Sequence, residues 1–425
     1  MTTADIVIIG GGPAGTATLW AIEQLAPGTQ TILLEASNSL GAGSSSASLE
    51  AFRTCWPTHC IAQQMKRSVE MFLNADNYFG EGASTVLAVK QQGYLFCGFT
   101  ELQASSLKSD VEHLHSVGMH HIEFLNSDEI QYRFPWLGDQ LVAGKFDPVA
   151  GWLDSNSLIN LYVRNAPQAE VRLNVRGIKI VVENGKIRGV QSEDDHISTP
   201  CVVIAAGAGS RAVGRTAGVE LPIVAVPRQS FTTGWRHDGF NADAPMIIGA
   251  PPSPHVHPEA HSGAIFGWEY GWNSRHRTPD HVQHTLDAPD LPASTYKDPR
   301  FPSITLALLA RQFGHRDGTG FSSPNYLRGV RHNAGYYVYR DENAAFRVDG
   351  EGNHQPYESE RALIDCHPEV EGLFMSVAHV GHGIMTSPAA GELMASLVLG
   401  RELPDPAYKD FKLDAHWVEF DNNAL

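Results

Sequence analysis

The run Ile6-Val-Ile-Ile-Gly-Gly-Gly-Pro-Ala-Gly-Thr-Ala-Thr-Leu-Trp-Ala-Ile-Glu-Gln-Leu25 decides the fold. Ile6 to Ile9 are continuously apolar, as suits a parallel strand buried on both faces. Gly10-Gly-Gly-Pro-Ala-Gly15 follows. The spacing predicts a helix from Pro13 to about Leu25, with small Ala14, Gly15 and Ala17 toward the sheet. Ala26-Pro27-Gly28 ends it, and Thr31-Ile-Leu-Leu-Glu35 reads as a second strand. The pattern is therefore G-x-G-x-x-G between strand and helix, with Glu35 placed 20 residues past the last glycine. In such a unit Gly10 makes the turn and Gly12 lets the backbone approach a pyrophosphate at the helix N-terminus. Gly15 lets helix and strand pack closely, and Glu35 accepts from ribose hydroxyls. Glycines alone would be weak. With strand, helix and acid in register, they predict dinucleotide binding.

The composition around this unit is that of a globular protein. The chain has 425 residues, 42% hydrophobic and 18% charged, enough for roughly two to three domains. Lys and Arg number 31 against 47 Asp and Glu, a net charge of −16. That argues against nucleic acid or an anionic membrane surface as partner. No apolar run reaches the ~18–20 residues of a membrane span. No leader pattern precedes Ile6, so a cytoplasmic location is expected. Cys55, Cys60, Cys97, Cys201 and Cys366 are scattered and form no CxxC, which argues against disulfides and zinc. His255 and His257 lack a third ligand, so no metal is expected.

Further along, Gly41 to Ser48 is rich in Gly, Ala and Ser. It reads either as a flexible linker or as a tight loop against a flat ligand. Arg172 to Glu183 alternates, Asn184-Gly185 signals a type I′ hairpin, and Lys186 to Gln191 runs back. Cys201-Val-Val-Ile-Ala-Ala-Gly-Ala-Gly-Ser210 repeats a strand ending in a glycine turn. This meander and second glycine turn, at Gly207 and Gly209, favour FAD over NAD. The polar stretch 275–325, with a helix near Ile304 to Phe313, reads as an insertion or lid. Gly372 to Leu399 reads as strand, Gly381-His382-Gly383 turn and helix, its N-terminus aimed at a ligand.

Five blocks carry a resemblance: DIVIIGGGPAGTATLWAIEQ, GAGSSSASLEAFR, GWLDSNSLINLY, CVVIAAGAGS and GLFMSVAHVGHGIMTSPAAGELMASLVLG. The chain resembles the FAD-dependent family of D-amino acid, glycine and sarcosine oxidases, less so between about 230 and 330. The resemblance implies an α/β fold. It joins a Rossmann-like FAD-binding domain (1–80, 150–222 and 328–425) to a mostly antiparallel β-sheet substrate domain (81–149 and 223–327). It implies FAD contacts from Gly10, Gly12, Pro13, Ala14 and Gly15, and from Glu35 and Ala36 after the second strand. Further contacts would come from Ser44, Ser45 and Ser46, from Val175, Ala206 and Gly207, and from Gly381, Gly383, Ile384 and Met385. Arg53 falls where sarcosine oxidases bind the substrate carboxylate, and Arg331 where glycine and D-amino acid oxidases do. Surface ion pairs are the competing reading for both arginines, and Arg328 is a further candidate. His382 is either an active-site residue or a packed capping histidine; His379 reads as structural.

The chain departs from that pattern in three places. Met385 stands where sarcosine oxidases carry a lysine that helps hold the carboxylate. Ile265 stands where they carry an oxygen-activating lysine. No cysteine lies near Gly335-Tyr336-Tyr337, so the FAD is expected to be non-covalent. Phe266, Trp268, Tyr270, Trp272, Tyr336, Tyr337 and Tyr339 read either as an aromatic cage or as a packed sheet face. The implied reaction oxidises the carbon–nitrogen bond of an amino acid or secondary amine by hydride transfer to flavin N5. It gives an imine, with O2 or another electron acceptor closing the cycle. The alternatives are an FAD-dependent 2-hydroxy-acid or glycerol-phosphate dehydrogenase, or a non-catalytic assembly or electron-transfer flavoprotein. Substrate identity and oligomeric state are not legible.

Overall fold

The computed structural model describes residues 2–193, 195–268, 286, 289–340 and 361–415. Its centre is a six-stranded sheet ordered Leu363–Cys366, Leu373–Val377, Val202–Ile204, Ile6–Ile9, Thr31–Leu34 and Glu170–Arg172. All neighbouring pairs are parallel except the first. Ile6–Ile9 lies between Val202–Ile204 and Thr31–Leu34, buried throughout, as its unbroken apolar run requires. The helix Pro13–Leu25 covers one face and is crossed by the helix Ser387–Val398. A Cβ on Gly391 would lie 2.5 Å from the Ala17 carbonyl oxygen, so only glycine permits that approach.

The meander forms a four-stranded sheet ordered Thr2–Thr3, His196–Ser198, Lys186–Gln191 and Lys179–Glu183. Asn184 and Gly185 have φ of 53° and 73°, the two positive values a type I′ turn needs. The alternating run 172–183 is not one strand. Arg172 closes a strand of the central sheet, Asn174 and Gly177 turn the chain at positive φ, and a new strand starts at Lys179.

The second large sheet has eight strands. Their order is Arg331–Arg340, Ile223–Thr233, Gly263–Gly267, His255–Glu259, Met246–Ile248, Tyr94–Gly98, Ala143–Asp147 and Glu123–Asn126. Only the Met246–Ile248 and Tyr94–Gly98 pair is parallel. Arg331–Arg340, expected with the FAD-binding segments, pairs along its whole length with Ile223–Thr233. By pairing it goes with this sheet.

One face of the sheet carries Leu95, Phe231, Ile247, Val256 and Phe266. The helix Phe301–Gln312 packs there through Phe301, Leu306 and Leu309. The helix read as part of a lid is thus core cover for this sheet; 275–285 lie outside the described residues. The opposite face carries Tyr94, Phe96, Lys145, Asp147, Met246 and Ile248 and looks toward the serine loop and the nucleotide unit. No helix of the described residues is long and apolar enough to cross a membrane.

Candidate active site

The nucleotide cradle is built on steric exclusion. Gly10 has φ +118°, and a Cβ there would lie 2.3 Å from the Ala205 carbonyl oxygen. A Cβ on Gly15 would lie 2.0 Å from the Gly10 carbonyl oxygen. Gly12 is different: among the described residues no atom beyond its chain neighbours lies within 4 Å of its Cβ position, which is open space. The helix beginning at Pro13 has no side-chain cap and no acidic residue in its first turn. Its amides are left to an anion. Pro13 is buried and Ala14 half-buried beside it. Glu35 is fixed by two backbone donors, Gly11 N–H and Ser37 N–H, each at 2.7 Å. Ala36 is exposed next to it, and Val175 N–H donates to the Glu35 carbonyl at 2.9 Å. Ala206 abuts Gly10, and Gly207 follows at φ +52°. These residues fit a dinucleotide.

The serine loop is ordered as a 3-10 turn, Ser44–Ala47. Ser44 Oγ donates to the Tyr336 carbonyl at 2.7 Å and accepts from Tyr336 N–H at 2.9 Å. Ser46 Oγ donates to the Gly43 carbonyl at 2.9 Å, and Ser45 N–H and carbonyl lie within the same turn. A Cβ on Gly335 would lie 3.0 Å from Ser44 Cα. The large sheet therefore meets the loop at this point.

The Gly381-His382-Gly383 turn closes the other side. Ala378 and Val380 adopt φ of 58° and 51°, which is strained for a β-branched valine. Val380 N–H donates to the Val338 carbonyl at 3.0 Å, pinning the turn to the sheet. Tyr337 packs so tightly on Gly381 that a Cβ would lie 2.6 Å from its ring. The helix starts only at Ser387, so Gly381 and Gly383 precede its first turn rather than form it. Ile384 and Met385 bury their side chains in the core beneath. His379 is held by Ser376 Oγ at 3.1 Å, and burial pulls its imidazole down to about 4.

Arg53 and His382 meet through a residue the motifs do not mark. Trp56 lies 4.0 Å beneath the Arg53 guanidinium, and the His382 ring abuts Trp56 with centroids 4.2 Å apart. Arg53 also faces the Phe96 ring at 5.7 Å. Arg53 is 4% exposed, and its buried Nε has no hydrogen-bond partner. No carboxylate pairs with it among the described residues. Tyr94, two residues before Phe96 on the same sheet face, is buried with its hydroxyl unpartnered among the described residues. Burial pushes its phenol well up, and both Arg53 and Tyr337 act on it electrostatically. Burial also pushes the neighbouring Cys55 thiol up to about 12, so it is no nucleophile near neutrality.

Arg331 does not join this group. It is exposed at the start of its strand, four residues before the contact with Ser44. Arg328 is also exposed. The aromatics read either as a cage or as a packed sheet face are divided between the two faces. Phe266 stacks on Phe231 at 4.6 Å on the opposite sheet face, and Trp268 packs near Phe301 there. Tyr336 turns its hydroxyl to the Leu291 carbonyl at 2.7 Å. Tyr337 and Tyr339 remain on the site side with Arg228, whose guanidinium donates to Tyr339 Oη at 2.9 Å. Tyr270 and Trp272 lie outside the described residues. His257 stacks on Trp152 at 4.3 Å, and its ring nitrogens meet the Pro258 and Leu49 carbonyls. No group that could hold a metal occurs among the described residues.

A glycine cradle at a parallel sheet, facing a buried arginine under an antiparallel sheet, defines a two-domain flavoprotein oxidoreductase. The chain belongs to the DAO family, described as FAD dependent oxidoreductase, whose model matches residues 5–293. It is an FAD-dependent enzyme of that family. Among curated proteins it is 27% identical over 241 residues to mitochondrial sarcosine dehydrogenase of Mus musculus. That match covers 53% of this chain and 25% of the mouse protein, so the chain spans about a quarter of such a relative. Among solved structures, L-proline dehydrogenase from P. horikoshii superposes with a TM-score of 0.74 at 20% identity, covering 97% of both chains. Glycine oxidase from Geobacillus kaustophilus superposes with a TM-score of 0.73 at 17% identity, covering 98% of this chain and 100% of that one.

Proposed function

We propose that this protein oxidises the carbon–nitrogen bond of a small amino acid or secondary amine that carries a carboxylate. The carrying observation is Arg53: a buried guanidinium stacked on Trp56, with an orphaned Nε and no carboxylate of its own among the described residues. A buried arginine with free donors is built for a bidentate carboxylate. FAD supplies the two-electron acceptance that turns the amine into an imine, which then hydrolyses. The chain's own task is orientation. Arg53 fixes the carboxylate, Trp56 and Phe96 form the walls, and Tyr337 and the strained 378–383 turn close the cofactor side. His382, against Trp56, is placed to contact the substrate's reacting end or to hold Trp56 in position. Gly10, Gly12, Gly15 and Glu35 hold the dinucleotide, with the serine loop and the 381–385 backbone at the ring end. The sarcosine dehydrogenase, proline dehydrogenase and glycine oxidase relatives all carry names of amino-acid oxidation, which supports this class.

The test is anaerobic flavin bleaching by amino acids, N-methyl amino acids, simple amines and 2-hydroxy acids, followed by admission of air. Bleaching by carboxylate-bearing amines alone is the expected result. Bleaching by 2-hydroxy acids alone would replace the reading with an alcohol dehydrogenase. No bleaching by any class would leave a flavoprotein without small-molecule turnover. Fast reoxidation in air would mark an oxidase, and slow reoxidation a dehydrogenase.

A further inference from the structure

Arg53 poses a question of charge. A buried guanidinium with a buried carboxylate close by ordinarily closes an ion pair. Asp147, whose carboxylate anchors the backbone just after Arg53, is fully buried, yet it forms no pair with Arg53 among the described residues. Its lone pairs are already taken. Oδ2 accepts from Thr54 N–H at 2.7 Å, Cys55 N–H at 3.1 Å and the Thr54 hydroxyl at 2.8 Å. Oδ1 accepts from Val149 N–H at 3.1 Å and Ala150 N–H at 3.2 Å. A carboxylate offers about four lone-pair sites, so these donors saturate it. The Thr54 hydrogen is committed to Asp147. The 2.6 Å contact between Thr54 Oγ1 and His121 Nε2 therefore has the imidazole N–H donating. Lys145, the other buried cation here, is tied to Asp110 at 3.3 Å.

We propose that Asp147 and Thr54 are positioning residues for Arg53, keeping its guanidinium both fixed and vacant for a ligand carboxylate. This rests on the reading of Arg53 as the carboxylate grip. Asp147 holds the amides of the two residues after Arg53, so the backbone that carries the guanidinium cannot drift. His121, with 37% of its side chain exposed, ends the chain at the surface and holds the Thr54 hydroxyl in line.

The FAD-loaded full chain is titrated with acetate and benzoate, and with acetamide and benzamide as uncharged controls. Flavin absorbance and calorimetric heat are the readouts. Thr54→Val removes one donor from Asp147 and the acceptor from His121 at nearly constant size. It is expected to weaken the carboxylates about tenfold, with the carboxamides and the unfolding temperature unchanged. Thr54→Ser restores the affinity. Equal losses for both ligand classes, or no loss, overturn the proposal. Asp147→Asn sets an amide nitrogen against N–H donors and is expected to lower folded yield, so Thr54 carries the test. Arg53→Met separates the two levels. If it keeps carboxylate binding, the grip reading fails. If it loses that binding while Thr54→Val does not, only the positioning role fails. A wild-type protein that binds none of the carboxylates overturns both.

Discussion

Replacing Arg53 by methionine should make the protein more stable and much less active. The guanidinium is 4% exposed, and its Nε is buried without an acceptor. An unsatisfied buried donor costs ~1–3 kcal/mol. The contact with Trp56 at 4.0 Å returns ~1–2 kcal/mol. Methionine keeps part of that through its sulfur on the ring, ~0.3–1.5 kcal/mol. The balance favours methionine by ~1 kcal/mol. An unfolding entropy of ~2.1 cal/mol/K per residue gives ~0.9 kcal/mol/K over 425 residues, so Tm rises by about 1 °C. Against this, removing one partner of a desolvated charge pair costs ~2–5 kcal/mol, or about 30- to 5,000-fold in kcat/KM. The assays are anaerobic flavin reduction against substrate concentration and thermal unfolding of the same preparation. A variant that keeps kcat/KM but unfolds several degrees lower would refute the reasoning. Arg53 would then be a structural cation.

The glycines of the cradle separate into two kinds. Gly10→Ala and Gly15→Ala force a Cβ against backbone oxygens at 2.3 and 2.0 Å and should abolish folded protein, read by circular dichroism. Gly12→Ala meets no protein atom and should give a folded protein with reduced flavin content, read by absorbance after gel filtration. Tyr94→Phe removes a hydroxyl that has no partner among the described residues. Stability should therefore hold, while affinity for carboxylate ligands falls about fivefold; equal affinity would show the hydroxyl faces no ligand. Burial lowers His257 to about 4, although the Pro258 and Leu49 carbonyls pull the other way. The unfolded chain then binds the extra proton first, so this contribution is full above pH ~6.5 and is lost as pH falls toward 4, by about 1.4 kcal/mol per unit. Urea midpoints measured across that range should lose this slope in His257→Phe, which can still stack on Trp152.

The nucleotide half was legible because its signals are local. Strand, glycines, helix and Glu35 fall within one short run, and the Asn184-Gly185 turn declares its own geometry. The substrate half was less legible because its site is assembled by sheet pairing. Tyr94 stands opposite Asp147 and Phe96 opposite Lys145 across strands about fifty residues apart in sequence. Nothing local marks Asp147 as the anchor of Thr54 and Cys55. Trp56 follows Arg53 by three residues, a spacing that could have flagged it once Arg53 was suspected. Phe266 and Tyr337 look equivalent by composition, yet the sheet sends them to opposite faces. A one-residue change in register would exchange them.

The central sheet also sets a timetable for synthesis. Val202–Ile204, which flanks the first strand, takes its other neighbour from Leu373–Val377, and 373 − 202 is 171 positions later. At ~5–20 residues per second, that strand edge leaves the ribosome roughly 10–30 s before its partner exists. Meanwhile three apolar strands with an open edge wait unpaired or on a chaperone. Ser387–Val398, which seals the first helix, comes later still. Flavin capture thus waits until that helix has emerged, and a nascent chain stalled before that point is an aggregation hazard rather than a smaller flavoprotein.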